Sequence, residues 1–183
     1  MCSVDKFIIH GPARLQGVVA TATAKNAVLP ILAACLLTEE PCLIRDVPLL
    51  EDVRTMARLL RSLGVQVAQR KHTIKVAAGD KIERTATYDI VRKMRASYYV
   101  LGPLLGRFGD ARVSLPGGCA IGPRPVDLHI KGIASLGAEV SLEHGYLHAT
   151  GRCLRGGTML LEGASGPSVG ATANTMMAAA LAG

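Results

Sequence analysis

A chain of 183 residues with 49% hydrophobic and 19% charged side chains carries enough apolar mass for a packed core, which excludes a disordered polypeptide. Aromatic residues make up only 3% and Trp is absent, so the core must be assembled from Ala, Val, Leu and Ile, with glycine allowing close approach. The formal net charge of +7 points to an anionic partner, and scattered cations without interleaved aromatics favour a small anion over nucleic acid; a basic surface with no specific partner is the alternative.

The first residues, Met1 to Phe7, lack the basic start and apolar run of a signal peptide. The longest apolar stretch, Ala27 to Leu37, contains Pro30 and is too short to span a bilayer. A cytoplasmic protein without a membrane partner is therefore expected. The five cysteines, Cys2, Cys35, Cys42, Cys119 and Cys153, show no metal-knuckle spacing. Most lie in apolar runs and read as buried small hydrophobes in a reducing compartment.

Along the chain, Thr23-Ala24-Lys25-Asn26 leads into a helix rich in small apolar residues, AVLPILAACLL. DVRTMARLLRSLGVQV, from Asp52 to Val67, predicts an amphipathic helix that ends at Ser-Leu-Gly and enters a strand, with a second β segment from His72. Arg92-Lys93-Met94-Arg95 then leads into a second small-residue helix, ASYYVLGPLLGRF. VDLHIKGIASLGAEV, from Val126 to Val140, repeats the amphipathic helix with its Ser-Leu-Gly stop, and YLHAT from Tyr146 repeats the strand. Ser168-Val169-Gly170 opens a third small-residue helix, ATANTMMAAALAG. Lys25, Arg95 and Gly170 hold similar places at spacings of 70 and 75 residues, and Gly64 and Gly137 are 73 apart.

A βαβαβ-like unit of about 70 residues, stacked on its neighbours to bury its apolar face, accounts for this pattern. The third unit stops at Gly183, where its second helix is due, so a chain truncated in its third repeat is expected.

The densest chemical signal runs from Ser114 to His129, SLPGGCAIGPRPVDLH. Its Pro and Gly residues exclude a regular element through the middle and place Cys119, unlike the other four cysteines, on a loop. A loop thiol near Arg124 is favoured as the reactive thiolate; an incidental Cys on a surface turn fits the spacing equally. Pro125 is preorganised for a first helical turn, which sets Arg124 at a helix start suited to phosphate or carboxylate. Ser168 is an N-cap candidate that leaves backbone N–H groups for an anion. Taken singly, Lys25, Arg95 and Arg124 read as solvated charges; at equivalent places in a repeat they point to one anionic ligand. Asp127 and His129, two residues apart, face different ways on a helix. Asp127 reads as a ligand acceptor or cap and His129 as supporting structure. His10, His72, His144 and His148 have no metal spacing, and no P-loop or dinucleotide fingerprint is present.

Lys25-Asn26-Ala27 with Leu29-Pro30, Met94-Arg95-Ala96-Ser97 with Leu101-Gly102-Pro103, and above all LPGGCAIGPRPVDLH closely resemble the UDP-N-acetylglucosamine 1-carboxyvinyltransferases. The similarity extends from Asp5–Gly17 to Pro167–Gly183. It implies an inside-out α/β barrel of the enolpyruvyl transferase type, six repeats in two globular domains with substrates between them. Here residues 1–22 correspond to an amino-terminal strand segment that packs with the second domain, and residues 23–183 to the first domain. The second domain is expected to be absent, and the chain alone inactive.

The resemblance further implies transfer of the enolpyruvyl group of phosphoenolpyruvate to the 3-hydroxyl of UDP-N-acetylglucosamine, by addition and elimination, with release of phosphate and without metal or cofactor. This is the step that opens peptidoglycan synthesis. Lys25 and Asn26 match residues at phosphoenolpyruvate and the sugar nucleotide, and Arg95 and Arg124 match cationic substrate-site arginines. The run Arg124, Pro125, Val126, Asp127 and Leu128 matches a UDP-sugar-binding stretch. Cys119 matches the proton-donating cysteine that adds to phosphoenolpyruvate and is alkylated by fosfomycin, and Ser168 and Val169 match residues at the diphosphate. Two departures stand out: Gly166-Pro167 replaces a region where some relatives carry a Lys, and Thr23-Ala24 replaces the usual Ser-Gly. The rival readings are a shikimate-pathway enolpyruvyl transferase and a non-catalytic basic binding module.

Overall fold

The computed structural model describes residues 6, 8–92, 94–115, 126–164 and 166–183. Helix α1 (Lys25–Ala34) buries Val28, Leu29, Leu32 and Ala33 along one face and tightens into a 3₁₀ turn at Cys35–Leu37. After β1 (Cys42–Ile44), α2 (Glu51–Ser62) opens with Glu51 and Asp52 and closes with Arg61, charges that complement the helix dipole. It buries Val53, Met56, Leu59 and Leu60, the spacing of a single apolar stripe. Gly64 then takes φ +86°, a left-handed geometry that a side chain resists, and turns the chain into β2 (Gln66–Arg70). The hairpin to β3 (Thr73–Ala77) completes an antiparallel sheet in the order β1-β3-β2.

The second unit starts with β4 (Thr85–Ala86) and the short α3 (Tyr88–Val91). Arg95–Val100 form a 3₁₀ helix that continues into α4 (Leu101–Phe108), and β5 (Asp110–Ser114) follows. Helix α5 (Asp127–Ser135), a turn at Gly137 with φ +86°, and the hairpin of β6 (Glu139–Glu143) and β7 (Tyr146–Thr150) reproduce the α2-β2-β3 plan. The hairpin turns match as well: Lys71 and His144, 73 residues apart, take φ +50° and +51°. The carbonyls of Leu63 and Leu136 accept from Glu83 N at 2.8 Å and Arg155 N at 2.9 Å, the same bond in each unit. The second sheet runs β4-β5-β7-β6, parallel only between β4 and β5. A two-residue pair, β8 (Glu162–Gly163) and β9 (Gly166–Pro167), precedes α6 (Val169–Ala179).

Helices α1, α4 and α6 form the centre, with α4 and α6 in close contact. A Cβ on Gly102 would lie 2.1 Å from the Asn174 carbonyl oxygen, and one on Gly106 would lie 2.9 Å from that of Ala178. The two glycines are one helical turn apart, as are Asn174 and Ala178, so the backbones touch along a line that larger residues would hold open. One guanidinium joins the first two units. Arg107, its side chain 9% exposed, donates to the carbonyls of Leu36, Thr38, Ala78 and Gly79 at 2.9–3.2 Å and pairs with Glu39 at 3.2 Å.

Two expectations are corrected. The second small-residue helix is not regular α from its start. Pro103 has no amide to give the Tyr99 carbonyl one turn earlier, and the preceding six residues wind as 3₁₀. Helix α5 begins at Asp127 with Val126 as N-cap; Arg124 and Pro125, expected at its start, lie outside the described residues. Among the described cysteines only Cys35 is buried; Cys42 is half-buried and Cys153 is exposed in the loop after β7, because neither lies on the inward face of a helix.

Gly102→Ala forces a methyl group into backbone that cannot retreat. It is expected to lower stability by roughly 3 kcal/mol in urea unfolding. Gly156→Ala, with open space around the added carbon, should stay within about 0.5 kcal/mol of the parent.

Candidate functional site

Lys25 is the first residue of α1, and its Nζ lies 2.8 Å from Asp52 Oδ2 in the first turn of α2. Both side chains are about two-fifths exposed, so the pair contributes no more than about 1 kcal/mol to stability. Its role is orientation: a carboxylate at the start of α2 holds the ammonium at the start of α1. Ala24, the N-cap of α1, has no side chain to bond the helix amides. The neighbouring Thr23 hydroxyl instead donates to the Asp46 carbonyl at 2.6 Å and ties down the entering chain. Asn26 is exposed in the same turn. Pro30 cannot donate to the Asn26 carbonyl one turn earlier, which leaves that oxygen without the usual helical partner.

Arg95 opens the 3₁₀ helix ahead of α4; its side chain lies outside the described residues. Measured against the helix prolines, its place differs from that of Lys25. Pro30 follows Lys25 by five residues and Pro103 follows Arg95 by eight, so the second unit starts one 3₁₀ turn earlier. Cys119, Arg124 and Pro125 lie outside the described residues.

The starts of α5 and α6 come together. Val126 is the N-cap of α5, Asp127 its first residue, and Leu128 is buried beneath it. The Asp127 carboxylate lies against β8, where a Cβ on Gly163 would be 3.4 Å from Oδ2. Lys131 Nζ donates to the Glu162 carbonyl at 3.2 Å and anchors the same edge. Ser168 caps α6 as its residue type predicts, its Oγ accepting from Ala171 N at 3.2 Å, while Val169 is 83% exposed. His129 is buried and meets the edge of Tyr98, ring centroids 5.4 Å apart. A Cβ on Gly170 would lie 3.5 Å from His129 Nε2, so this ring adjoins the first turn of α6.

Asn174 knits these elements together. Its Oδ1 accepts from Gly102 N at 2.5 Å, and its Nδ2 lies 2.9 Å from the Tyr98 carbonyl and 3.0 Å from His129 Nδ1. Around the same junction the hydroxyls of Ser97, Tyr98 and Thr175 are buried without hydrogen-bond partners. Burial pushes the Tyr98 phenol above its ordinary pKa, so it stays protonated. Sequence reasoning missed two of the residues that organise the site. Asp52 was visible only as a first-turn acid of α2, and Asn174 as a lone amide in an Ala-rich helix.

Burial, reinforced by the neighbouring Cys42 thiol, pushes the Cys35 pKa up to about 12. At pH 7.5 its thiolate is a negligible fraction. Iodoacetamide followed by peptide mapping should therefore modify exposed Cys153 and leave Cys35 intact in the folded chain, with Cys35 reacting only after unfolding.

Residues 9–183 match the family described as EPSP synthase (3-phosphoshikimate 1-carboxyvinyltransferase). A UDP-N-acetylglucosamine 1-carboxyvinyltransferase of Anaeromyxobacter sp. is 51% identical over 98% of the chain and 43% of its own length. The protein of the same name from Klebsiella pneumoniae subsp. pneumoniae is 51% identical over 98% of the chain and 42% of its own length. The chain thus spans about two-fifths of the length of these relatives. Among solved structures, the enolpyruvyl transferase NikO from Streptomyces tendae superposes with a TM-score of 0.75 at 22% identity, over 95% of this chain and 40% of that one. EPSP synthase from Acinetobacter baumannii gives 0.67 at 17% identity, over 91% and 38%. At such identities these structures speak for the fold alone, and that fold is the α/β type of the enolpyruvyl transferases, as the resemblance implied. Among the described residues no helix is long and apolar enough to cross a membrane.

Proposed function

The chain belongs to the EPSP synthase (3-phosphoshikimate 1-carboxyvinyltransferase) family, and we propose that it forms the first part of an enzyme transferring the enolpyruvyl group of phosphoenolpyruvate to UDP-N-acetylglucosamine. The observation that carries this acceptor is identity near 50% across nearly the whole chain to relatives bearing that activity in their names, together with LPGGCAIGPRPVDLH. The reaction joins the sugar 3-oxygen to C2 of phosphoenolpyruvate while C3 gains a proton. The tetrahedral intermediate then loses a C3 proton and expels phosphate, giving the enol ether.

Both reactants are anions, so fixed cations and helix starts offset their repulsion without reorganising during the reaction. Lys25 and Asn26, with Arg95 and Arg124, bind phosphoenolpyruvate and the sugar nucleotide. Pro125, Val126, Asp127 and Leu128 line the UDP-sugar, Ser168 and Val169 meet its diphosphate, and Cys119 donates the proton and takes the fosfomycin adduct. Holding alkene and hydroxyl together removes much of the entropic cost of their encounter. Residues 1–22 pack with the second domain. In support, Ile8, Ile9, Leu15, Val18 and Val19 are 69–100% exposed, an apolar strip with no cover in the first domain. The activity is cytoplasmic and serves peptidoglycan synthesis, and it calls on neither nucleic acid nor membrane.

Calorimetric titration tests the acceptor. UDP-N-acetylglucosamine is expected to bind the 183-residue chain, shikimate 3-phosphate to give no heat, and Lys25→Ala to weaken sugar-nucleotide binding about tenfold. Binding of shikimate 3-phosphate instead, or salt-sensitive binding of DNA, would overturn the proposal. With both substrates present this chain alone should release no phosphate, because the remaining three-fifths of its relatives' length contributes to turnover.

A further inference from the structure

We infer that Cys35 and Cys42 are a redox-responsive pair: hydrogen peroxide oxidises the two thiols to one intramolecular disulfide, which ties the end of the first helix to β1. The inference stands apart from the proposed function, which uses neither sulfur.

Two separate elements bring the sulfurs together. Cys35 opens the 3₁₀ turn that ends α1, within the buried core, and its Sγ lies 3.4 Å from the Ile31 carbonyl. Cys42 opens β1, is held opposite Val76 by strand pairing, and packs against the same core while staying half-buried. The two thiol side chains are hydrogen-bonded to each other. The chain between them is also fixed. Arg107 takes the Leu36 and Thr38 carbonyls at 3.0 and 3.2 Å and the Glu39 carboxylate at 3.2 Å, and Thr38 Oγ1 accepts from Glu40 N at 3.1 Å. Residues 36–41 thus form a clasped bend with a cysteine at either end, and joining the sulfurs costs the folded chain little further freedom. Packing asks only for a small apolar residue at each place, which Ala or Val would supply. Two thiols in contact add a chemistry that neither of those residues has.

Exposure divides the roles. Cys42 meets solvent, and so meets the oxidant first. Cys35 does not, and burial, with Cys42 beside it, pushes its pKa up to about 12, so it keeps its proton at neutral pH. In the first step the Cys42 thiolate sulfur bonds to one peroxide oxygen, the O–O bond breaks, and hydroxide leaves to be protonated as water. Cys42 is then a sulfenic acid. In the second step the Cys35 sulfur bonds to the Cys42 sulfur, the S–O bond breaks, and the hydroxyl departs with the Cys35 proton as a second water. Two thiols are oxidised by two electrons and one peroxide is reduced. In a reducing compartment thiol exchange restores the pair, so the bond marks oxidative load rather than the resting state.

Peptide mapping of the 183-residue chain tests the pair. The folded chain is treated with hydrogen peroxide at pH 7.5, then unfolded, alkylated with iodoacetamide and cut with trypsin, which leaves both cysteines within residues 26–45. That peptide is expected to escape alkylation, to be lighter by two hydrogen atoms, and to accept two labels only after reduction. A further cut beside Glu39 or Glu40 should leave its halves joined. The inference is overturned if the peptide still takes two labels, if Cys42 ends as a sulfenic or sulfinic acid beside a free Cys35, or if either sulfur links to Cys153 instead. A disulfide that forms only when urea is present during the peroxide step overturns it as well. In Cys42→Ser, Cys35 should pass through the same treatment with its thiol intact; its loss as fast as in the parent refutes the assigned order of attack.

Discussion

The contact between Gly102 and Asn174 sets the terms for the rest of this chain. At that point two central helices approach until one backbone rests on the other, with no room for even a methyl group. A centre built this way has little place for aromatic bulk, and the chain has no Trp and only two Phe, with Tyr98 buried at its margin. Most of its attraction comes from many small dispersion contacts and from backbone groups that bond across the interface. Because the fit is close, the start of each helix is fixed relative to its neighbour, and that is the precondition for presenting charge to a ligand without movement.

Among the described residues, the candidate site is assembled from beginnings of helices. Lys25 stands at the start of α1 facing Asp52 at the start of α2, and the first turn of α6, capped by Ser168, adjoins His129 near the start of α5. The two arrangements differ electrically. The first pairs a cation with a carboxylate, which orients the ammonium while trimming its net field. The second is held by short hydrogen bonds, Ala171 N to Ser168 Oγ and Asn174 Nδ2 with His129 Nδ1, which salt screens little. A basic protein of net charge +7 thus combines a diffuse positive field with short-range hydrogen bonds at its helix starts.

Much of the repeat was legible because its punctuation is local. Gly64 and Gly137 each follow Ser-Leu at the end of an amphipathic helix, and each adopts the same left-handed φ. Ser168 caps α6 as its residue type predicts. The parts that were not legible depend on partners far along the chain. Nothing near Asp52 announces that it meets Lys25, and Asn174 bonds residues 72 and 45 positions away. The 3₁₀ start at Arg95 was hidden for another reason: Pro103 acts on the turn before it, and the apolar spacing alone suits either winding. The cysteines were misjudged because an apolar neighbourhood in sequence does not place Cys42 or Cys153 on an inward face.

Arg107 carries a consequence of its own. It gathers carbonyls from the close of the first unit onto a helix of the second, inside a nearly closed shell. A guanidinium does not give up its proton at any pH a cell meets, and its four principal acceptors are peptide oxygens that do not titrate. The seam between the units is therefore a fixed charge clasped by uncharged acceptors, and its closure does not hang on acidity.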